Sequence, residues 1–162
     1  MLDSIKQKLK QINLIEATQY KKAGVLILLL KENEDDEYKI VFTKRSTQLK
    51  THSGEVSFPG GKWEEADNDL YETALRESNE EINLNIDNVT KLGHLNFLLS
   101  RHKIEVNPYV GYLNKLQDFK GNFEIDEIFI VPISFLTNSK NVTYKEFNSC
   151  LLYTSDAADD NA

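Results

Sequence analysis

Gly61-Lys62-Trp63-Glu64-Glu65-Ala66-Asp67-Asn68-Asp69-Leu70-Tyr71-Glu72-Thr73-Ala74-Leu75-Arg76-Glu77-Ser78-Asn79-Glu80-Glu81-Ile82-Asn83-Leu84 carries the strongest periodic signal in the sequence. From Leu70 to Ile82, the residues Leu70, Ala74, Leu75, Ser78 and Ile82 recur at three- and four-residue intervals, which predicts an amphipathic helix with one face on a core. The same period places Glu77, Glu80 and Glu81 on or near one face of that helix. Like charges so spaced cost an isolated helix roughly a few tenths of a kcal/mol per pair, so a compensating cation is expected. Clustered carboxylate oxygens suit Mg2+ or Mn2+. For an isolated E-x-x-E-E the plainer reading is a solvated acidic face. The preceding loop turns the reading toward chemistry, because Gly60-Gly61 lets the backbone approach a ligand closely.

Upstream, Arg45 to Lys62 contains glycines at 54, 60 and 61 and Pro59, the composition of an ordered loop more than of a regular element. Ala23 to Leu30 is a β-branched and leucine run, and Tyr38 to Thr43 again favours strand, with the polar turn Glu32–Glu37 between them. Residues 3–13 read as a short amphipathic packing helix carrying Ile5, Leu9 and Ile12. Downstream, Leu92 to Leu99, Ile104 to Leu113 and Glu127 to Val131 read as strands, and Pro132 opens a helical turn through Leu136. The order is β-rich with one central helix.

At 162 residues, 40% hydrophobic and 28% charged, the chain suits one soluble domain with a core that needs no disulfides. The lone Cys150 forms no internal bridge, and no signal-like segment opens the sequence, so a cytoplasmic location is expected. The longest apolar run, Gly24 to Leu30, falls far short of the ~20 residues that span a bilayer, so no membrane anchor is expected. A net charge of -7 argues against broad binding to nucleic acid or anionic membrane, while leaving room for a small phosphate ligand bridged by metal.

With its loop and helix together, Gly61 to Leu84 resembles the signature of the Nudix hydrolases, G-x5-E-x7-R-E-U-x-E-E-x-G-U, where U is aliphatic. The R-E-x-x-E-E core is intact. Asp67 stands in place of Glu, eight residues in place of seven separate it from Arg76, and Asn83 replaces the last glycine. Asn tolerates a left-handed backbone, which makes that last change mild, and Ser78 at the aliphatic position is small enough to pack. Val41 to Gly61 resembles the motif that precedes a longer box in the coenzyme A pyrophosphatase subgroup, L-L-T-x-R-S-x3-R-x3-G-x3-F-P-G-G. Its spacing holds throughout, with Val41, Phe42 and Lys50 as conservative departures; Lys50 keeps charge but loses bidentate geometry toward phosphate. The two motifs cover about a quarter of the chain.

The resemblance implies an α/β Nudix fold, a mixed β-sheet sandwiched between helices, over a single domain of residues 1–149. It implies that Glu77, Glu80 and Glu81 ligate Mg2+ or Mn2+, that Arg76 orients a ligand carboxylate through an ion pair, and that Arg45 and Lys50 contact substrate phosphates beside Gly60 and Gly61. Glu124 resembles a later acidic position, as metal ligand or base, with an exposed loop carboxylate as the alternative. Glu55 is a candidate base or outer partner beside the metals, or a plain loop residue. Trp63 and Tyr71 could stack on a base or cover the pocket, with core or rim packing the plainer role.

The implied reaction is metal-dependent hydrolysis of the diphosphate bond of coenzyme A or its derivatives, giving 3′,5′-ADP and 4′-phosphopantetheine, with water as the attacking group. Alternatives are hydrolysis of another nucleoside diphosphate linked to X, such as ADP-ribose or NADH, and a non-catalytic nucleotide-binding module. The partner is a small nucleotide diphosphate, and a homodimer is left open.

His52, His94 and His102 are too scattered to propose a metal site, and nothing has zinc spacing. Gly61-Lys62 is not a P-loop, since Val56 and Trp63 occupy its first-glycine and Ser/Thr positions. Cys150-Leu-Leu-Tyr-Thr-Ser-Asp-Ala-Ala-Asp159 resembles the conceptual translation of a sequencing-library adapter, with an acidic disordered terminus as the alternative. Residues 150–162 then read as a non-native tail, the family's closing helix would be missing, and the chain as written is expected to be less stable than a longer version.

Overall fold

The structure, a computed structural model, describes residues 1–146. The expectations for Cys150, for the tail 150–162 and for a missing closing helix lie outside the described residues.

The central helix α2 spans Leu70–Ile82, as its periodicity predicts, with a side-chain cap at its N-terminus and a left-handed backbone cap at its C-terminus. Asp69 sits in extended backbone and accepts the Glu72 N–H at 2.7 Å, which satisfies one of the orphan donors of the first turn. Asn83 closes the helix in the left-handed conformation (φ 57°, ψ 38°), the position at which the family signature carries glycine. Ala74, Ser78 and Ile82 are buried with Leu84, and the Ser78 hydroxyl donates to the Ala74 carbonyl at 2.6 Å, so this small polar residue fits the core face.

The helix packs on a mixed sheet. Strand β1 (Lys22–Leu30) runs parallel to β7 (Glu105–Leu113), and β7 pairs antiparallel with β5 (Val89–His94) and β6 (Leu98–Leu99). Because β7 occupies one edge of β1 along its length, the other edge is shared: β2 (Lys39–Arg45) pairs with Leu29 and Leu30, and β4 (Gly60–Lys62) with Ala23 to Val25. Strand β2 carries β8 (Ile125–Pro132) on its outer edge and β3 (Val56–Ser57) near its C-terminal end.

The segment read as a loop, Arg45 to Lys62, therefore contains two short strands. Each takes its hydrogen bonds from a partner distant in sequence, a signal that local composition does not carry. The run expected as one strand over Leu92 to Leu99 is likewise split. Its register shifts between Lys91 and Gly93, and Leu95 donates to the Pro108 carbonyl between the two pieces.

Alternation along β1 builds two cores. Leu26, Leu28 and Leu30 pack with Val41, Ala74, Ile82 and Leu113 beneath α2. Leu29 faces the other way with Tyr38, Leu92 and Val110, against Leu2, Ile5 and Leu9 of the N-terminal helix α1 (Leu2–Lys10) and Ile133 of α3 (Ile133–Thr137). Helices thus cover both faces of the sheet. Gly24 permits the closest approach of sheet and helix, since a Cβ there would fall on the Leu70 carbonyl oxygen.

Candidate active site

Asp67 is the residue from which the site is built. Its buried carboxylate accepts Arg76 Nε at Oδ1 (2.8 Å) and Arg76 Nη2 at Oδ2 (2.9 Å), together with the Thr73 hydroxyl (2.8 Å) and the Glu64 N–H (3.0 Å). The Arg76 guanidinium, first among these, holds the Asp67 carboxyl well below the usual carboxylate range against the opposing effect of burial. Asp67, Arg76 and Thr73 in turn tie the connecting loop onto α2. Asp67 was legible only as a departure from a signature, and its role as the anchor of Arg76 is a finding of the structure.

Arg76 does not point into the open site. It turns along α2, where Nη1 donates to Glu77 (3.1 Å) and Glu80 (3.2 Å) and Nη2 to the Lys62 carbonyl (3.1 Å). Glu77 lies against Gly61, where a Cβ would come within 2.5 Å of the carboxyl carbon. Glu81 accepts the Gly60 N–H at 3.1 Å. The close approach offered by the two glycines is therefore taken up by helix carboxylates, although both glycines still line the cavity beyond.

That cavity, of about 690 Å3, gathers Glu77, Glu80, Glu81 and Glu124 on its wall together with Arg45 and Lys62. Arg45 donates to the Thr51 carbonyl (2.9 Å) and pairs with Glu124 (3.2 Å), which joins β2 to the start of β8 over the site. Burial pushes the Glu81 carboxyl up to about 7 despite the Gly60 hydrogen bond, and burial also raises Glu77. Glu77 and Glu124 add to the rise at Glu81 through like charge.

Among the described residues no three His, Cys, Asp or Glu side chains stand together at a spacing that would hold a metal ion as placed, since Glu77 and Glu80 are turned to Arg76. The donor set nevertheless fits a hard divalent cation. Its donors are all carboxylate oxygens, and burial raises two of them, Glu77 and Glu81, an effect that a bound cation would offset.

Other expected site residues fall elsewhere. Lys50 is exposed and lies outside the cavity wall, so of the two cations expected at phosphate only Arg45 reaches it. Glu55 is absent from the wall and accepts instead from His52 Nδ1 (2.9 Å). Trp63, 47% exposed, lines a separate cleft with Tyr20 and Leu70, and Tyr71 packs on Tyr109 at the core. Neither covers the acidic cavity. His52 and His102, scattered in sequence, both line it with their rings 5.4 Å apart, while His94 packs on Tyr109. Nothing local in the sequence signals the meeting of two loops fifty residues apart.

Comparison with known proteins agrees with this arrangement. The NUDIX domain model matches residues 21–136. Among curated proteins, the chain is 41% identical over 124 residues to the mitochondrial Nudix hydrolase 15 of Arabidopsis thaliana, a match covering 75% of this chain and 43% of that protein. It is 36% identical over 126 residues to the peroxisomal coenzyme A diphosphatase ndx-8 of Caenorhabditis elegans, covering 75% and 53%. The chain spans about half the length of the curated relatives it matches. The crystal structure of a C. elegans Ap4A hydrolase binary complex superposes with a TM-score of 0.61 at 19% identity, over 85% of this chain and 98% of that one, which speaks for the fold alone. Since the family model spans most of the chain, including the whole of the loop and helix built around Asp67 and Arg76, the protein belongs to the Nudix hydrolase family.

Proposed function

We propose that the protein hydrolyses the diphosphate bond of coenzyme A or its derivatives, yielding 3′,5′-ADP and 4′-phosphopantetheine or its acyl form. The observation that carries this reading is the Arg45–Glu124 pair at 3.2 Å on the wall shared with Glu77, Glu80 and Glu81. It brings the segment resembling the coenzyme A pyrophosphatase motif onto the same cavity as the acidic helix. Curated relatives named as coenzyme A diphosphatases, at 36% and 37% identity, support the substrate.

Nudix hydrolases are generally divalent-metal dependent, and here Mg2+ or Mn2+ would be held by Glu77, Glu80 and Glu81, neutralising the diphosphate and acidifying water. The protein's own contribution is orientation. Arg76, anchored by Asp67, braces Glu77 and Glu80 along the helix, and the Gly60 N–H sets Glu81. Arg45 would leave Glu124 for a substrate phosphate, to which a guanidinium fork is suited; its pair with Glu124 on the cavity wall supports that role. Glu124, released from Arg45, accepts the proton of the attacking water as its oxygen adds to one phosphorus and the bridging P–O bond breaks.

The experiment is hydrolysis of coenzyme A with millimolar Mg2+ or Mn2+, products resolved chromatographically, for wild type and Glu80→Gln. Metal-dependent release of 3′,5′-ADP, falling on the order of a hundredfold or more in the variant, is the expected result. Turnover of ADP-ribose without turnover of coenzyme A would overturn the substrate while keeping the chemistry. No turnover of any diphosphate by folded protein would leave a binding module.

A further inference from the structure

The acidic cavity has a second feature that the hydrolytic groups do not use. His52, in the turn between β2 and β3, and His102, in the turn between β6 and β7, come together on its wall with ring centroids 5.4 Å apart and planes at 86°. Glu55 accepts from His52 Nδ1 at 2.9 Å, which fixes the ring and leaves Nε2 as its remaining polar atom. Both turns carry a non-glycine residue in the left-handed region, His52 itself (φ 56°) and Lys103 beside His102 (φ 56°), a conformation uncommon for such residues. The Thr51 carbonyl, next to His52, receives Arg45 Nε, so His52 adjoins the residue that holds the guanidinium assigned above to the diphosphate. The rest of the wall is mostly carboxylate, and these two rings with Arg45 and Lys62 supply its side-chain nitrogens.

We infer that His52 and His102 form a seat for a phosphate monoester that the substrate carries beside its diphosphate, with Glu55 as a positioning residue for His52. The inference rests on the function proposed above, in which that group is the 3′-phosphate of coenzyme A. The seat would make the enzyme prefer 3′-phosphorylated substrates over the same diphosphates lacking that group. Ionised phosphate accepting from His52 Nε2, in an imidazolium whose Nδ1–H is already given to Glu55, and from a ring N–H of His102 gains charge-assisted hydrogen bonds that a free hydroxyl does not.

The test compares kcat/KM for coenzyme A and for 3′-dephospho-coenzyme A in wild type, His52→Asn and His102→Gln. Asn is chosen at position 52 because it takes a left-handed backbone readily, so the turn is kept. The ratio of the two kcat/KM values is expected to fall roughly tenfold or more in each variant, through KM for coenzyme A. A ratio left unmoved in both variants overturns the seat.

A second measurement separates this from the reaction itself. In calorimetry, wild type should bind adenosine 3′,5′-bisphosphate at least about tenfold more tightly than AMP, and each variant should lose that preference. Equal affinities in the wild type overturn the seat whatever the activity assay shows. Absent turnover with the binding preference intact overturns only the hydrolytic reading.

Discussion

Arg76 and Asp67 meet in a two-point ion pair, Nε to Oδ1 at 2.8 Å and Nη2 to Oδ2 at 2.9 Å, across the eight-residue spacer between them. Asp67 is 2% exposed at its side chain and carries two further hydrogen bonds. Removing Asp67 takes from Arg76 its two-point partner, leaving it the Glu77 and Glu80 pairs along the helix, and takes from the Glu64 N–H its acceptor. Asp67→Ala should therefore cost about 3 kcal/mol in urea unfolding. It should also free Arg76 to draw Glu77 and Glu80 out of position.

Two glycines separate stability from function. At Gly24 a Cβ meets the Leu70 carbonyl, a backbone atom, so Gly24→Ala should destabilise by about 1–3 kcal/mol by forcing α2 off the sheet. At Gly61 the obstacle is the end of the Glu77 side chain, which can rotate away. Gly61→Ala should stay folded by circular dichroism, with a melting temperature close to wild type, while kcat falls on the order of a hundredfold because Glu77 is displaced.

Glu105 supplies a pH dependence of stability. It is 1% exposed at its side chain, and although burial alone would raise its carboxyl, hydrogen bonds from the Thr18 hydroxyl and N–H, Asn107 and Lys22 hold it at about 2. Its ordinary value is 4.5, so the folded state binds the proton more weakly than the unfolded one. The stabilisation is complete above about 4.5 and is lost as pH falls toward about 2, in total about 3 kcal/mol. Glu105→Gln should remove that portion of the acid slope in urea midpoints measured between neutral pH and pH 3.

Glu81 is buried with the Gly60 N–H as its hydrogen-bond partner and like charge nearby, an arrangement costly to the folded protein in the absence of a cation. In EDTA, Glu81→Gln should melt at or above the wild-type temperature. Added Mn2+ should raise the wild-type melting temperature by binding the folded state and should raise that of the variant much less. An equal rise in both would remove Glu81 from the ligand set.

What could be read from the chain without coordinates was whatever depends on near neighbours. The helix Leu70–Ile82, the left-handed Asn83 beyond it, the strands β1 and β7, and the placing of Glu77, Glu80 and Glu81 on one face all follow from periodicity and backbone preference acting over a few residues. The family followed from spacing over about a quarter of the sequence.

Folding in three dimensions settled what those side chains face. Val56–Ser57 and Gly60–Lys62 become strands because β2 and β1 diverge and leave edges to pair, a fact of sheet topology that local composition cannot encode. Lys50 stays outside the cavity although it lies in a recognisable motif, Glu55 goes to His52, and His52 meets His102 from a loop on the far side of the sequence. Such partnerships depend on where two loops arrive after β-pairing closes the chain. No short-range pattern of residues carries that distance.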